Sequence, residues 1–177
     1  MTAPARCWSG PECGCGVCRS ACERFPGWMS PGDVRLLAAM LEQPPAALFD
    51  THLAFDRWFG GYELGGLRDD STVWVVLPAA ASLPPGELFP RGFSDAERMG
   101  CTFYDRPTGA CAIHAIKPVE CREAVICDRS RERGGGREFR IYIARAWGRP
   151  AGRRFMAELR TAVVRRRGHT PFSWSYS

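Results

Sequence analysis

Nine cysteines in a chain of 177 residues constrain this protein more than any other feature. They fall into two groups, Cys7, Cys13, Cys15, Cys18 and Cys22, then Cys101, Cys111, Cys121 and Cys127, with none between. A fold for this sequence must give both irregular segments a reason to hold thiols. In a reducing cytosol thiols do not persist as structural disulfides, so metal binding is the leading reason. The competing reading is a secreted disulfide framework. Against it, nine is odd, the start MTAPARCWSG lacks the basic, apolar and small-residue sections of an export signal, and 45% hydrophobic content supplies a core without staples. No apolar run approaches the roughly 20 residues needed to span a bilayer. The expectation is a cytoplasmic protein without a membrane partner.

The local spacing supports metal ligation. In Cys15-Gly16-Val17-Cys18 two residues reverse the chain and leave both thiolates inside the bend, with glycine where the backbone turns tightly. Cys22 follows within reach as a third ligand, one short of a closed tetrahedral site, so the later group is expected to supply the fourth. Cys13 is separated from Cys15 by Gly14 alone and would point the opposite way in an extended chain, so it serves a second site or needs a bend. In the second group Cys101, Cys111 and Cys121 recur every ten residues, followed by Cys127. The turn chemistry of Asp105 through Gly109 predicts a small hairpin with Cys101 opposite Cys111 at its base. Zinc and iron–sulfur clusters both accept four thiolates, so ligand type leaves the choice open. The Cys-x₂-Cys-x₃-Cys run reverses the spacing of radical-generating clusters and lacks the full ferredoxin run.

The runs CGCGVCRSAC, PGWMSPGDVRLLAAML and CTFYDRPTGACAIHAIKPVECREAVIC resemble the YkgJ-like cysteine-cluster family, described as zinc- or iron-chelating proteins. The likeness covers about residues 13 to 127 and is best over 101 to 127. It implies that Cys15 and Cys18 match the family's first element and Cys101, Cys111, Cys121 and Cys127 its second. Two departures stand out. Arg19 occupies the place of the second of two adjacent cysteines, which passes that role to Cys22 or Cys13, and Lys117 replaces the arginine before Pro118, keeping the charge but losing the planar fork.

The remaining chain reads as scaffold, giving a small α+β single domain over residues 1–177 with irregular metal-stapled loops, a few helices and short strands. Within it lie a cysteine knuckle at 13–22, a second cysteine segment at 101–127 and a basic helical segment at 129–177. Ser30-Pro31 is an N-cap followed by proline at the first helical position, predicting a helix over 31–43 that Pro44-Pro45 stops. Residues 46–59 carry apolar side chains at helical spacing and predict a second helix. Residues 72–77 are β-branched and aromatic and predict a strand. Residues 78–98 read as surface loop and the glycine-rich 129–140 as a connector. Two helical segments are expected after it, the clearer over 150–167 with Phe155, Leu159 and Val163 on one stripe.

Residues 1–127 hold 11 Lys and Arg against 15 Asp and Glu, net −4, whereas 128–177 hold 13 against 4, net +9. A basic segment of this kind binds nucleic acid only without sequence preference and in a salt-sensitive way. Three functional readings follow. The first is a metal-binding protein holding zinc or iron, the iron alone or in an iron–sulfur cluster, through Cys13, Cys15, Cys18, Cys22, Cys101, Cys111, Cys121 and Cys127. The second is an iron–sulfur-dependent enzyme modifying a protein or peptide, since a flagellin lysine methylase is similar to the family in its cysteine cluster; no glycine-rich nucleotide loop supports it. The third is a metal-stapled adaptor whose basic segment meets nucleic acid or an acidic partner. His114 has a workable ligand spacing from Cys111, and Arg122 beside Cys121 would favour a nucleophilic thiolate with His114 as base. The tryptophans Trp28, Trp58, Trp74, Trp147 and Trp174 read as core rather than as base-stacking platforms.

Overall fold

The computed structural model describes residues 22–23, 26–58, 72–79, 85–88, 100–123 and 135–168, with the backbone alone at 122–123 and 135–138. Helix α1, Pro31–Met40, opens on a complete capping box: the Asp33 N–H donates to Ser30 Oγ (3.2 Å) and the Ser30 N–H to Asp33 Oδ2 (2.7 Å), with Pro31 pre-set for the first turn. The helix ends before the predicted Gln43. Glu42 takes a left-handed φ of 51°, turning the chain ahead of Pro44-Pro45.

The predicted second helix over 46–59 is largely overturned. A 3₁₀ turn, Pro45–Ala47, leads into a single helical turn α2, Leu48–Thr51, and then strand β1, Leu53–Trp58. β1 pairs antiparallel with β2, Val73–Pro78, in the register Leu53↔Pro78 to Trp58↔Val73. Leu53, Ala54 and Phe55 are all buried, because β1 is covered on both faces and shows no alternation. Isolated bridges extend the pair on both sides, Met29 to Val76 and Phe55 to Leu88, so part of the expected 78–98 loop packs as sheet edge. A second, two-residue ladder joins β3, Tyr104–Asp105, to β4, Ala110–Cys111.

A further 3₁₀ turn, His114–Ile116, and a short helix α3, Val119–Glu123, follow. Helix α4, Gly135–Gly148, begins inside the glycine run read as a connector, and helix α5 spans Pro150–Arg167 as predicted, closed by Gly168 in the left-handed conformation. The molecule is thus an α+β domain in which α4 lies on β2 and is gripped between α3 and α5. The core joins Leu37, Phe49, Phe55, Val75, Ile143, Trp147 and Leu159. Trp147 stacks on Phe155 at 5.9 Å and donates its indole N–H to Met29 O at 2.8 Å, tying α4 to the chain ahead of α1. Gly152 lets α5 fold back against α4: a Cβ there would fall against the Ala146 carbonyl oxygen and 2.8 Å from Trp147 Cα.

The charge asymmetry is partly consumed inside the fold. Arg140 pairs with Glu120 (2.7 Å), Arg167 with Glu87 (2.6 Å) and Arg166 with Asp50, each joining the basic segment to an acid of the first 127 residues. No helix among the described residues is long and apolar enough to cross a membrane.

Candidate metal centre

Of the eight predicted ligands, Cys22, Cys101, Cys111 and Cys121 fall within the described residues, and Cys13, Cys15, Cys18 and Cys127 lie outside them. None of the four described cysteines is in a disulfide. They come from separate stretches of chain that the backbone draws together. The Cys101 N–H donates to Cys22 O at 2.9 Å, the Tyr104 hydroxyl donates to Glu23 Oε1 at 3.1 Å, and a Cβ on Gly100 would stand 3.3 Å from Glu23 O. Cys22 is thereby held against the start of the second cysteine segment.

Cys121 approaches from another side. Its Sγ presses on the backbone of Gly27, where a Cβ would lie 2.5 Å from the sulfur and 3.2 Å from the Cys121 nitrogen. Only glycine permits this approach. Helix α3, which carries Cys121, is anchored at its first residues. The Val119 N–H reaches Asp33 Oδ2 at 3.5 Å, and the buried Glu120 carboxylate accepts the Trp28 N–H at 2.5 Å and Arg140 Nε–H at 2.7 Å. The same Arg140 guanidinium lies over the Trp28 ring at 5.2 Å, and Trp28 Nε1 donates to Asp56 at 3.1 Å.

The predicted hairpin exists, but its register differs: Cys111 pairs with Tyr104, not with Cys101. The turn closes tightly through the Gly109 N–H to Asp105 O at 2.8 Å, and the Tyr104 N–H folds back to Cys101 O at 3.0 Å, placing Cys101 beyond the ladder. The two sulfurs still sense each other. Burial pushes the Cys101 thiol up to about 12, with Cys111 and Cys22 adding to the rise and the Phe103 and Tyr104 backbone N–H groups opposing it. Burial also drives Cys121 well above its ordinary value, reinforced by Cys101, Glu120 and Cys22 and opposed by the Gly27 backbone. Each of the four thiols therefore lies within electrostatic reach of at least one other. Among the described residues, no three Cys, His, Asp or Glu side chains are grouped closely enough to hold an ion as they stand.

A nucleophilic Cys121 is disfavoured, since a reactive cysteine needs a depressed pKa and this one is raised. The Arg122 side chain lies outside the described residues. His114 sits on the 3₁₀ turn after β4 with Nε2 buried and unpaired among the described residues, and burial followed by the Lys117 charge lowers its pKa. Trp28 and Trp147 are core residues and Trp58 and Trp74 pack against them; Trp174 lies outside the described residues.

Gly27, Asp33 and Glu120 were not legible as parts of this region. Single residues carry no spacing signal, and only the fold shows that Glu120, beside Cys121, is buried and doubly bonded. Compared with protein-family models, curated proteins and solved structures, the chain gives no match.

Proposed function

We propose that this protein binds zinc or iron, the iron alone or in an iron–sulfur cluster, through Cys22, Cys101, Cys111 and Cys121, with Cys13, Cys15, Cys18 and Cys127 as further ligands. One observation carries the reading: the Cys101 N–H bond to Cys22 O joins stretches about 80 residues apart in sequence, and burial together with the neighbouring thiols raises Cys101 and Cys121. Four thiolates around a metal satisfy either zinc or an iron–sulfur centre. Cys22, Cys101, Cys111 and Cys121 would hold the metal as thiolates, so that binding would release their protons and its free energy would become folding free energy. The motif resemblance to the YkgJ-like cysteine-cluster family points the same way, and cysteines outside disulfides suit a reducing, cytoplasmic setting. The three arginine–carboxylate pairs weigh against the adaptor reading, because they commit part of the basic segment's charge to the fold itself.

Purification without oxygen followed by elemental analysis and absorption spectroscopy tests this. The expected result is at least one zinc or iron per chain, brown if the centre is iron–sulfur and colourless if zinc, with Cys101→Ser and Cys121→Ser each retaining less than about half of it. Absence of stoichiometric metal in the parent protein, or full loading of both variants, would sink the proposal.

A further inference from the structure

A cavity of about 230 Å³ opens where the first residues of β2 meet the end of α4 and the N-terminal half of α5. Its walls are apolar and aromatic: Val73 and Trp74 from β2, Trp147 from α4 and Met156 from α5. Two guanidinium groups, Arg153 and Arg160, share the lining, and among the described residues no carboxylate does. Arg160 Cζ lies over the Trp74 ring, 4.1 Å from its centroid, and Arg57 approaches the same ring at 5.7 Å. The indole is therefore a fixed wall with positive charge gathered beside it. None of these groups belongs to the cysteine region.

We propose that this cavity is a binding site for a small aromatic carboxylate, with the ring between Trp74, Trp147 and Met156 and the acid group on Arg160 and Arg153. Size sets the ring count. A cavity of about 150 Å³ takes benzene, so this one accepts one aromatic ring and a short acid arm. Charge sets the sign, since a planar guanidinium presents paired N–H donors that match a carboxylate, and an ammonium on the ligand would be repelled by two arginines. Burial lowers the pKa of Arg160, and an anion bound beside it would favour its charged form. A pocket with an apolar body and few convergent charged groups is the usual build of a small-ligand site.

Titration of the full-length protein as purified with phenylacetate, followed by NMR of the tryptophan indole N–H signals, tests the inference. Saturable shifts of the Trp74 and Trp147 signals are expected with a dissociation constant of about 1 mM or tighter, the reach of about ten non-hydrogen atoms. Phenylacetamide, of the same shape but uncharged, and benzylamine should bind about tenfold more weakly or not at all. Ala157, an exposed residue of α5 on the cavity rim, offers a variant that spares the fold: Ala157→Phe should fill the space and abolish the shifts, and Arg160→Gln should weaken binding about tenfold. A short peptide ending in phenylalanine tests the other source of a ring and carboxylate, and binding confined to it would overturn the proposal. So would the absence of saturable shifts, equal binding of phenylacetamide, or undiminished binding by Ala157→Phe.

Discussion

Gly27→Ala probes the packing around Cys121 with a single methyl group. The added Cβ would lie 2.5 Å from Cys121 Sγ, 3.2 Å from the Cys121 nitrogen and 3.5 Å from Glu120 Cβ, the first well inside contact distance. The neighbour is not the free end of a flexible side chain. Cys121 sits on α3, whose start is fixed by Asp33 and by the Glu120 bonds to Trp28 and Arg140, so relief must come from a shift of the helix or of the Pro26–Trp28 segment. Overpacking of this kind costs about 1–3 kcal/mol. Replacing glycine by alanine also restricts the unfolded chain, which offsets about 0.4–1 kcal/mol where the backbone tolerates it. Gly27 has no positive φ, so that offset applies.

The net expectation is a loss of about 1–2 kcal/mol, or about 2–8 °C in Tm for a domain of this size. Gly32→Ala supplies the internal comparison. Its Cβ would meet nothing nearer than Ser30 Oγ at 3.6 Å, in the first turn of α1, and it should be neutral or stabilising by up to about 1 kcal/mol. Chemical denaturation of the reduced, chelator-treated proteins measures the packing effect alone, and metal content of the untreated proteins measures its consequence for the sulfur. Gly27→Ala should lose both stability and metal, and Gly32→Ala neither. If Gly27→Ala unfolds at the parent's denaturant midpoint and carries the parent's metal, the close approach of Cys121 to Gly27 and the role given to it are both wrong.

Two further outcomes follow from the same packing. Burial raises Asp56 from 3.8 to about 6 despite hydrogen bonds from the Arg57 and Trp28 N–H groups and the nearby Arg140 and Arg57 charges, so the folded state holds its proton more tightly than the unfolded chain. Its contribution is fully present below pH 4 and is lost as pH rises through 6, at most about 3 kcal/mol and less because the residue keeps some exposure; Asp56→Asn should flatten the stability slope between pH 4 and 6, and an unchanged slope in denaturant titrations would contradict this. Gly152→Ala should cost about 3 kcal/mol, the upper end for overpacking, because its Cβ meets the Ala146 and Trp147 backbone rather than a movable side chain; a Tm within about 2 °C of the parent's would refute the α4–α5 contact.

The parts of the fold that were legible are those in which local chemistry and tertiary context agree. Ser30-Pro31-Gly32-Asp33 carries its own cap, so α1 begins where the residues say, and α5 begins at Pro150 and ends one residue before Gly168. β2 follows its β-branched run. The misread stretch, 46–59, has apolar residues at Leu48, Phe49, Leu53 and Phe55 that satisfy a helical period, and a strand buried on both faces leaves no alternation to contradict it. Helix α4 starts within Gly134-Gly135-Gly136 because packing between α3, α5 and β2 outweighs the poor helix propensity of glycine. Ligand counting expects one centre shared by both cysteine groups, and what the fold adds is the Cys101–Cys22 backbone bond, whereas the register that sets Cys111 against Tyr104 depends on a turn geometry that spacing alone does not fix.

The frame behind the thiols explains why they can converge without a disulfide. Asp33 closes the α1 cap and also reaches the first N–H of α3, so one carboxylate fixes two helix starts. Glu120, one residue on, takes the Trp28 N–H and the Arg140 guanidinium, which links α3 to α4 and to the chain ahead of α1. A buried carboxylate of this kind is tolerated only when its bonds are made, and here both come from elements that also build the core. Trp28 then passes the linkage on through Asp56 to β1, and Trp147 through Met29 to the bridge with β2. Cys121 is consequently carried on a helix tied to α1, α4 and the chain ahead of α1, whereas Cys22 is joined to the second cysteine segment through the backbone bond to Cys101 and the glycine contact at 100. In the proposed metal centre, Cys121 is therefore a ligand whose position the fold sets in advance, through Asp33, Glu120 and the contact with Gly27.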